Sequence, residues 1–130
     1  MSHHREPVTA LNAPAAIGPY AHAIRAGGLL FCSGQIPLDP ESGELVGGGP
    51  AAQTQRCLEN LAAVCAAAGA DLRDAARTTV YVTDMDAFQA VNEAYGAFFS
   101  ADPPARAVVG VAALPRGAQV EIDAVVALTD

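Results

Sequence analysis

Between Pro103 and Val126 the chain sets one guanidinium and one carboxylate into otherwise apolar, strand-forming sequence. Few arrangements tolerate that. Around Arg106 the run Ala105-Arg106-Ala107-Val108-Val109-Gly110-Val111 is almost entirely small or β-branched, which reads as a buried strand. A charge there needs a counterpart, so Arg106 either pairs within the protein or waits for an anion. From Val120 the residues Val120, Ile122, Ala124, Val126 and Leu128 alternate with Glu121, Asp123, Val125 and Ala127. Glu121 therefore points away from the main apolar set. The connection Leu114-Pro115-Arg116-Gly117-Ala118 is short enough to make the two strands neighbours. Arg106 and Glu121 then form a candidate site, with a structural ion pair between them as the alternative.

The remaining elements follow from local chemistry. Residues 1–8 are polar and read as a mobile end or an edge strand. The segment Asn12 to Tyr20 carries two prolines and a glycine, which forbid a regular helix and predict an extended loop delivering Tyr20 to a fixed place. Strands over 21–26 and 29–35 flank Gly27-Gly28, a two-residue hairpin signal. Gly34, in the Ser33-Gly34-Gln35 end of the second strand, marks either a close approach by a ligand or backbone, or a bulge. Pro50 opens a helix to about Ala68 that buries Cys57, Leu58, Leu61, Val64 and Cys65 and turns Gln53, Arg56, Glu59 and Asn60 elsewhere. Gly69 ends it. A β-branched strand covers 77–83. A second helix starts at Asp84 or Asp86, the latter with Gln89 in a capping-box position, and buries Phe88, Val91, Tyr95, Phe98 and Phe99. The order ββαβαββ predicts an α+β fold, two helices on one face of a mixed sheet. The opposite face is left for another subunit to cover.

The length of 130 residues predicts one domain over 1–130. Seven basic residues against fourteen acidic give a net charge of -7, which argues against a nucleic-acid partner. The longest apolar stretch, 62–70, is far below the ~20 residues that span a bilayer, and no basic-then-apolar leader opens the sequence, so the expected location is cytoplasmic. Cys32, Cys57 and Cys65 are not in a metal-ligand spacing, and Cys57 and Cys65 lie roughly 12 Å apart along one helix, too far for a disulfide. They read as small buried hydrophobes. His3, His4 and His22 are not read as metal ligands, and no cofactor is expected.

The segments Asn12-Ala13-Pro14-Ala15-Ala16-Ile17-Gly18-Pro19-Tyr20, Ser33-Gly34-Gln35-Ile36-Pro37, Thr78-Thr79-Val80-Tyr81-Val82, Val91-Asn92-Glu93-Ala94-Tyr95 and Pro104-Ala105-Arg106, followed by Val120-Glu121-Ile122, resemble the reactive-intermediate deaminase family, RidA or YjgF. The resemblance is collinear over about residues 12–127. It implies a chorismate-mutase-like fold, a homotrimer with clefts between subunits, and hydrolysis of 2-imino acids such as 2-iminopropanoate and 2-iminobutanoate to 2-keto acids and ammonia, without metal or cofactor. Position by position, it makes Arg106 the carboxylate clamp, Glu121 the acid beside the catalytic water, and Tyr20, Ser33 and Asn92 polar cleft residues, with Gly34 among the groups at the substrate. Members often carry a cysteine two residues after the arginine; here Val108 stands there and offers its backbone N–H to the carboxylate. The connection 100–103 is short for the family.

The chemistry fits those residue types. A planar carboxylate is best held by Arg through two parallel N–H···O bonds. Imine hydrolysis needs a carboxylate that steers water and manages a proton. Two other classes use the same residues: a non-catalytic trimer binding small 2-keto acids in a regulatory role, and a nuclease or chaperone-like interaction protein.

Overall fold

The computed structural model describes residues 4–129; the expectations placed on Met1, Ser2, His3 and Asp130 lie outside them. Six strands, β1 (Glu6–Val8), β2 (Ala23–Ala26), β3 (Leu29–Gln35), β4 (Ala75–Val82), β5 (Ala105–Gly110) and β6 (Val120–Ala127), form one sheet in the order β1-β2-β3-β6-β4-β5. Only β4 and β5 run parallel. Helices α1 (Gly49–Ala67) and α2 (Phe88–Phe98) share a core with one face of that sheet. Leu58, Leu61 and Val64 of α1, and Val91 and Tyr95 of α2, meet Val80, Val82, Val120, Ile122 and Val126 of the strands.

Local signals account for most boundaries. Gly27 and Gly28 take φ of 59° and 80°, the left-handed pair of a hairpin turn joining β2 to β3. At the end of α1, Gly69 has φ 72°; its N–H bonds the Ala66 carbonyl, and that of Ala70 the Cys65 carbonyl, a Schellman closure. The second helix departs from expectation at its start. Asp84 caps a 3₁₀ turn over Met85–Ala87 by accepting from the Asp86 N–H, and α2 proper begins at Phe88 with no side-chain cap, so the Asp86/Gln89 capping box does not form. Phe88 is correspondingly half-exposed, while Val91, Tyr95 and Phe99 are buried.

Two further expectations are corrected. Strands β5 and β6 are not neighbours, because β4 lies between them and pairs with both. Strand β5 is consequently an edge strand, half-exposed rather than buried. Gln53 and Asn60, expected off the buried face of α1, are 4% and 0% exposed. Their amides are satisfied by loop backbone. Asn60 Nδ2 donates to the Ile36 and Leu38 carbonyls at 3.3 and 3.0 Å while its Oδ1 accepts from Arg56, and Gln53 Oε1 accepts from the Gln119 N–H at 2.8 Å. A buried amide with its partners supplied costs little.

The face of the sheet away from the helices is open in the chain. Phe31 on β3 and Val109 on β5 are 45% and 39% exposed there, in line with Val125, Tyr81 and Glu121 through the strand register. No helix among the described residues is long and apolar enough to cross a membrane.

Candidate active site

Arg106 is placed by its strand and trimmed by α2. It pairs in register with Thr78 of β4, and Thr78 is fully buried under the helices, so Arg106 leaves the sheet on the helix side. There Nη1 donates to Asn92 Oδ1 at 2.6 Å. Its Cζ stands 4.8 Å from the Tyr95 ring centroid and 5.9 Å from that of Phe88. Pro103, Pro104, Gly96 and Phe99 complete a cleft of about 390 Å³. Among the described residues the ion pairs are Arg56–Glu59 and Arg73–Asp71, and Arg106 enters neither. Its charge is met by an amide oxygen and two ring faces, which leaves most of the fork for an anion.

Glu121 is placed by the alternation of β6. Its neighbours Val120 and Ile122 are fully buried beneath the helices, so its carboxyl emerges on the open face. It lies against Gly34, where β3 breaks register with β6 between Cys32 and Gln35. A Cβ at Gly34 would come within 2.3 Å of Glu121 Oε2 and 3.0 Å of its carboxyl carbon. Of the two readings of that glycine, the bulge is the one found; what comes close to it is the Glu121 side chain, not another stretch of backbone. Ile17, Tyr20, Ser33, Ile36 and Pro115 line the same cleft, of about 430 Å³. The Tyr20 hydroxyl accepts from the Ile17 N–H at 3.2 Å, leaving its proton to offer, and Ser33 Oγ donates to the Ala21 carbonyl at 2.7 Å. Burial, and then the neighbouring Asp123, raise the Glu121 pKa above the ordinary carboxylate value. Such a carboxyl suits proton transfer near neutrality better than a solvated one.

The sequence pairing of Arg106 with Glu121 does not occur within the chain. Glu121 faces Tyr81 across β6–β4, and Tyr81 faces Val109 across β4–β5; Arg106, three residues from Val109, lies on the opposite face. The described residues thus form two separate clusters: Tyr20, Ser33, Gly34 and Glu121 on the open face, Asn92 and Arg106 at the β5 edge. Val108 packs on the core beside Arg106. Because the Val111 N–H bonds the Val82 carbonyl, the alternation of the ladder turns the Val108 N–H to the free edge.

The sequence missed the supports. Tyr95 read as core, and it is buried at 5% exposure, yet its ring also underlies Arg106. His22 sits just before β2 with Nδ1 accepting from the Ala10 N–H at 2.9 Å and Nε2 donating to the Pro14 carbonyl at 2.8 Å. It fastens the loop that delivers Tyr20, with both ring nitrogens used within the chain. Hydrogen bonding to Cys65, with burial, keeps the Cys32 thiol protonated, and all three cysteines are free and buried.

The family profile described as "Endoribonuclease L-PSP" matches residues 10–128. The chain is 46% identical over 121 residues to the mouse (Mus musculus) protein named 2-iminobutanoate/2-iminopropanoate deaminase, covering 93% of this chain and 90% of that one. It is 49% identical over 124 residues to the RutC family protein y4sK of Sinorhizobium fredii, covering 95% and 98%. The crystal structure of RidA from an Antarctic Psychrobacter superposes with a TM-score of 0.91 at 41% identity, covering 95% and 99%.

Proposed function

Because the chain belongs to the endoribonuclease L-PSP family, which includes YjgF and RidA, we propose that it hydrolyses 2-imino acids such as 2-iminopropanoate and 2-iminobutanoate to 2-keto acids and ammonia, in a cleft that two chains of a homotrimer share. The observation that carries this reading is Arg106, a cation without a carboxylate partner among the described residues, held ready by Asn92 and Tyr95. The relatives named 2-iminobutanoate/2-iminopropanoate deaminase support the substrate class. Arg106 takes the substrate carboxylate in a fork, with the Val108 N–H beside it.

Glu121 works on the other end of the substrate. Its carboxylate accepts a proton from water as the water oxygen adds to the imine carbon, and passes that proton to the imine nitrogen to give a carbinolamine. Glu121 then takes the carbinolamine hydroxyl proton as the carbonyl forms and delivers it to the nitrogen as the C–N bond breaks, leaving the keto acid and ammonia. Tyr20 and Ser33 line this end with hydroxyls. Since Arg106 and Glu121 lie on opposite faces of one chain, the site is completed by apposing the β5 edge of one copy to the open face of the next. That contact also covers Phe31 and Val109, whose exposure forfeits ~25 cal/mol for each Å² of apolar area left in water. Closed cyclic symmetry accommodates such a head-to-tail contact; the number three comes from the family. Free cysteines suit a reducing, cytoplasmic location. The net charge of -7 opposes a phosphate backbone, so the nuclease named in the family's description is not the activity proposed for this chain.

The test is to generate imine with an amino-acid oxidase and follow its disappearance. Acceleration by the parent and its loss in Arg106→Lys, with the oligomer intact, are expected. A folded protein that binds 2-oxobutanoate but never accelerates imine loss is instead a binder, and this reading is wrong.

A further inference from the structure

The aromatic ring under Arg106 is itself anchored, and its anchor stands next to Arg106 in the sheet. Tyr95 is 5% exposed, and its hydroxyl lies 2.6 Å from Thr78 Oγ1, a hydroxyl with no solvent exposure. Thr78 is the register partner of Arg106 across β4–β5. The Phe99 ring packs against that of Tyr95, 4.8 Å between centroids at 42°. Strand pairing, hydroxyl pair and ring contact thus join Thr78, Tyr95 and Arg106 in a closed loop of contacts.

We propose that Tyr95, held by Thr78, is a positioning residue that orients the Arg106 guanidinium and so sets the affinity of the site for the substrate carboxylate; this rests on the reading of Arg106 as the carboxylate clamp. A cation standing over a ring is held there without using its N–H donors. All five lie in the guanidinium plane, and Asn92 takes one. An acceptor side chain in place of the ring would consume more, and a carboxylate would neutralise the charge. Tyr95 does neither. Burial, its main influence, raises the phenol pKa, so the ring stays neutral beside the cation. The same contacts limit the long Arg side chain to one orientation, so less freedom is lost when the substrate docks. Asn92 fixes the guanidinium at one edge and Tyr95 fixes it from below.

The contribution falls on binding, and it is separable from a core role. Tyr95→Leu keeps an apolar filler and removes the ring; Tyr95→Phe and Thr78→Val keep the packing and remove the hydroxyl pair. We expect Tyr95→Leu to weaken 2-oxobutanoate, measured by titration calorimetry, about 10-fold, the size of a partly desolvated cation–π contact. KM for the imine should rise alongside, with kcat within about 3-fold. Tyr95→Phe should recover most of the loss, Thr78→Val should match it, and the double variant should be no worse than either, since both remove one bond. A folded Tyr95→Leu oligomer with the parent's affinity, or with lowered kcat at unchanged KM, overturns the proposal. Should Tyr95→Leu not fold, parental affinity in both hydroxyl variants overturns the anchoring by Thr78. Arg106→Lys is the control: if it binds 2-oxobutanoate as the parent does, the clamp reading fails; if it loses binding while the Tyr95 variants keep it, only the present inference fails.

Discussion

At the scale of single residues, Glu121 carries the sharpest conflict between stability and use. A carboxyl half-withdrawn from water beside Asp123 is easier to protonate in the folded chain than in the unfolded one, because burial and then the like charge disfavour its ionised form. A folded-state pKa above the unfolded value means that the stability linked to this proton is complete below the unfolded pKa and is lost as pH rises through the folded pKa. Glu121→Gln removes that loss. Its Tm should exceed the parent's at neutral pH, and the difference should vanish below about pH 4, where the carboxyl is protonated in both states. Equal melting curves at pH 7 contradict the account of its environment. The same substitution should leave 2-oxobutanoate binding intact and reduce turnover by roughly 10²–10⁴-fold if the carboxylate transfers the proton; near-parental rates mean that backbone groups alone position the water.

Among the elements, the junction of β3 with β6 decides where that carboxyl sits. Gly34 lies in the register break, and its missing side chain is the space Glu121 occupies. Gly34→Ala should fold, since the obstructing group is a side chain and not backbone, and should lose about 10²-fold in kcat through displacement of the carboxyl. Unchanged kcat shows that Glu121 does not work from this position. The loop after β3 is held by Asn60. Asn60→Ala takes the donor from the Leu38 carbonyl in the interior, while the Ile36 carbonyl keeps the Leu38 N–H, and should lower stability by roughly 1–3 kcal/mol in denaturant titration; a change below 0.5 kcal/mol, the usual limit for an inconsequential surface site, rules out that role.

These same elements mark what was legible in the chain. The hairpin glycines, the β-branched run of β4, the stop at Gly69 and the two apolar helix faces all act over a few residues, and the sequence revealed them. The order of strands did not follow, because a short β5-to-β6 connection constrains distance and not adjacency: β4 enters between them and takes both edges. Asn60 and Gln53 read as lying off the buried face because an amide's partners here are backbone groups far along the chain. Arg106 and Glu121 were each recognisable as candidates, but their placement was not, since they leave opposite faces of one sheet.

For the whole molecule, the central claim is that one copy supplies Arg106 and the next supplies Glu121. An open sheet face with Phe31 and Val109 exposed, and an edge strand whose unpaired groups point outward, are surfaces that a monomer leaves unused. The claim makes each inactive variant able to repair the other. Arg106→Lys and Glu121→Gln chains, unfolded together and refolded in equal amounts, form mixed oligomers in which a junction has both functional groups when an Arg106-bearing chain meets a Glu121-bearing neighbour in the right order. In a head-to-tail ring that happens at about one junction in four. The measurement is the imine-hydrolysis rate of the mixture, with mixed composition verified by native mass spectrometry. About a quarter of the parental rate is the predicted result; a rate no greater than the average of the two variants alone, in oligomers shown to be mixed, contradicts it.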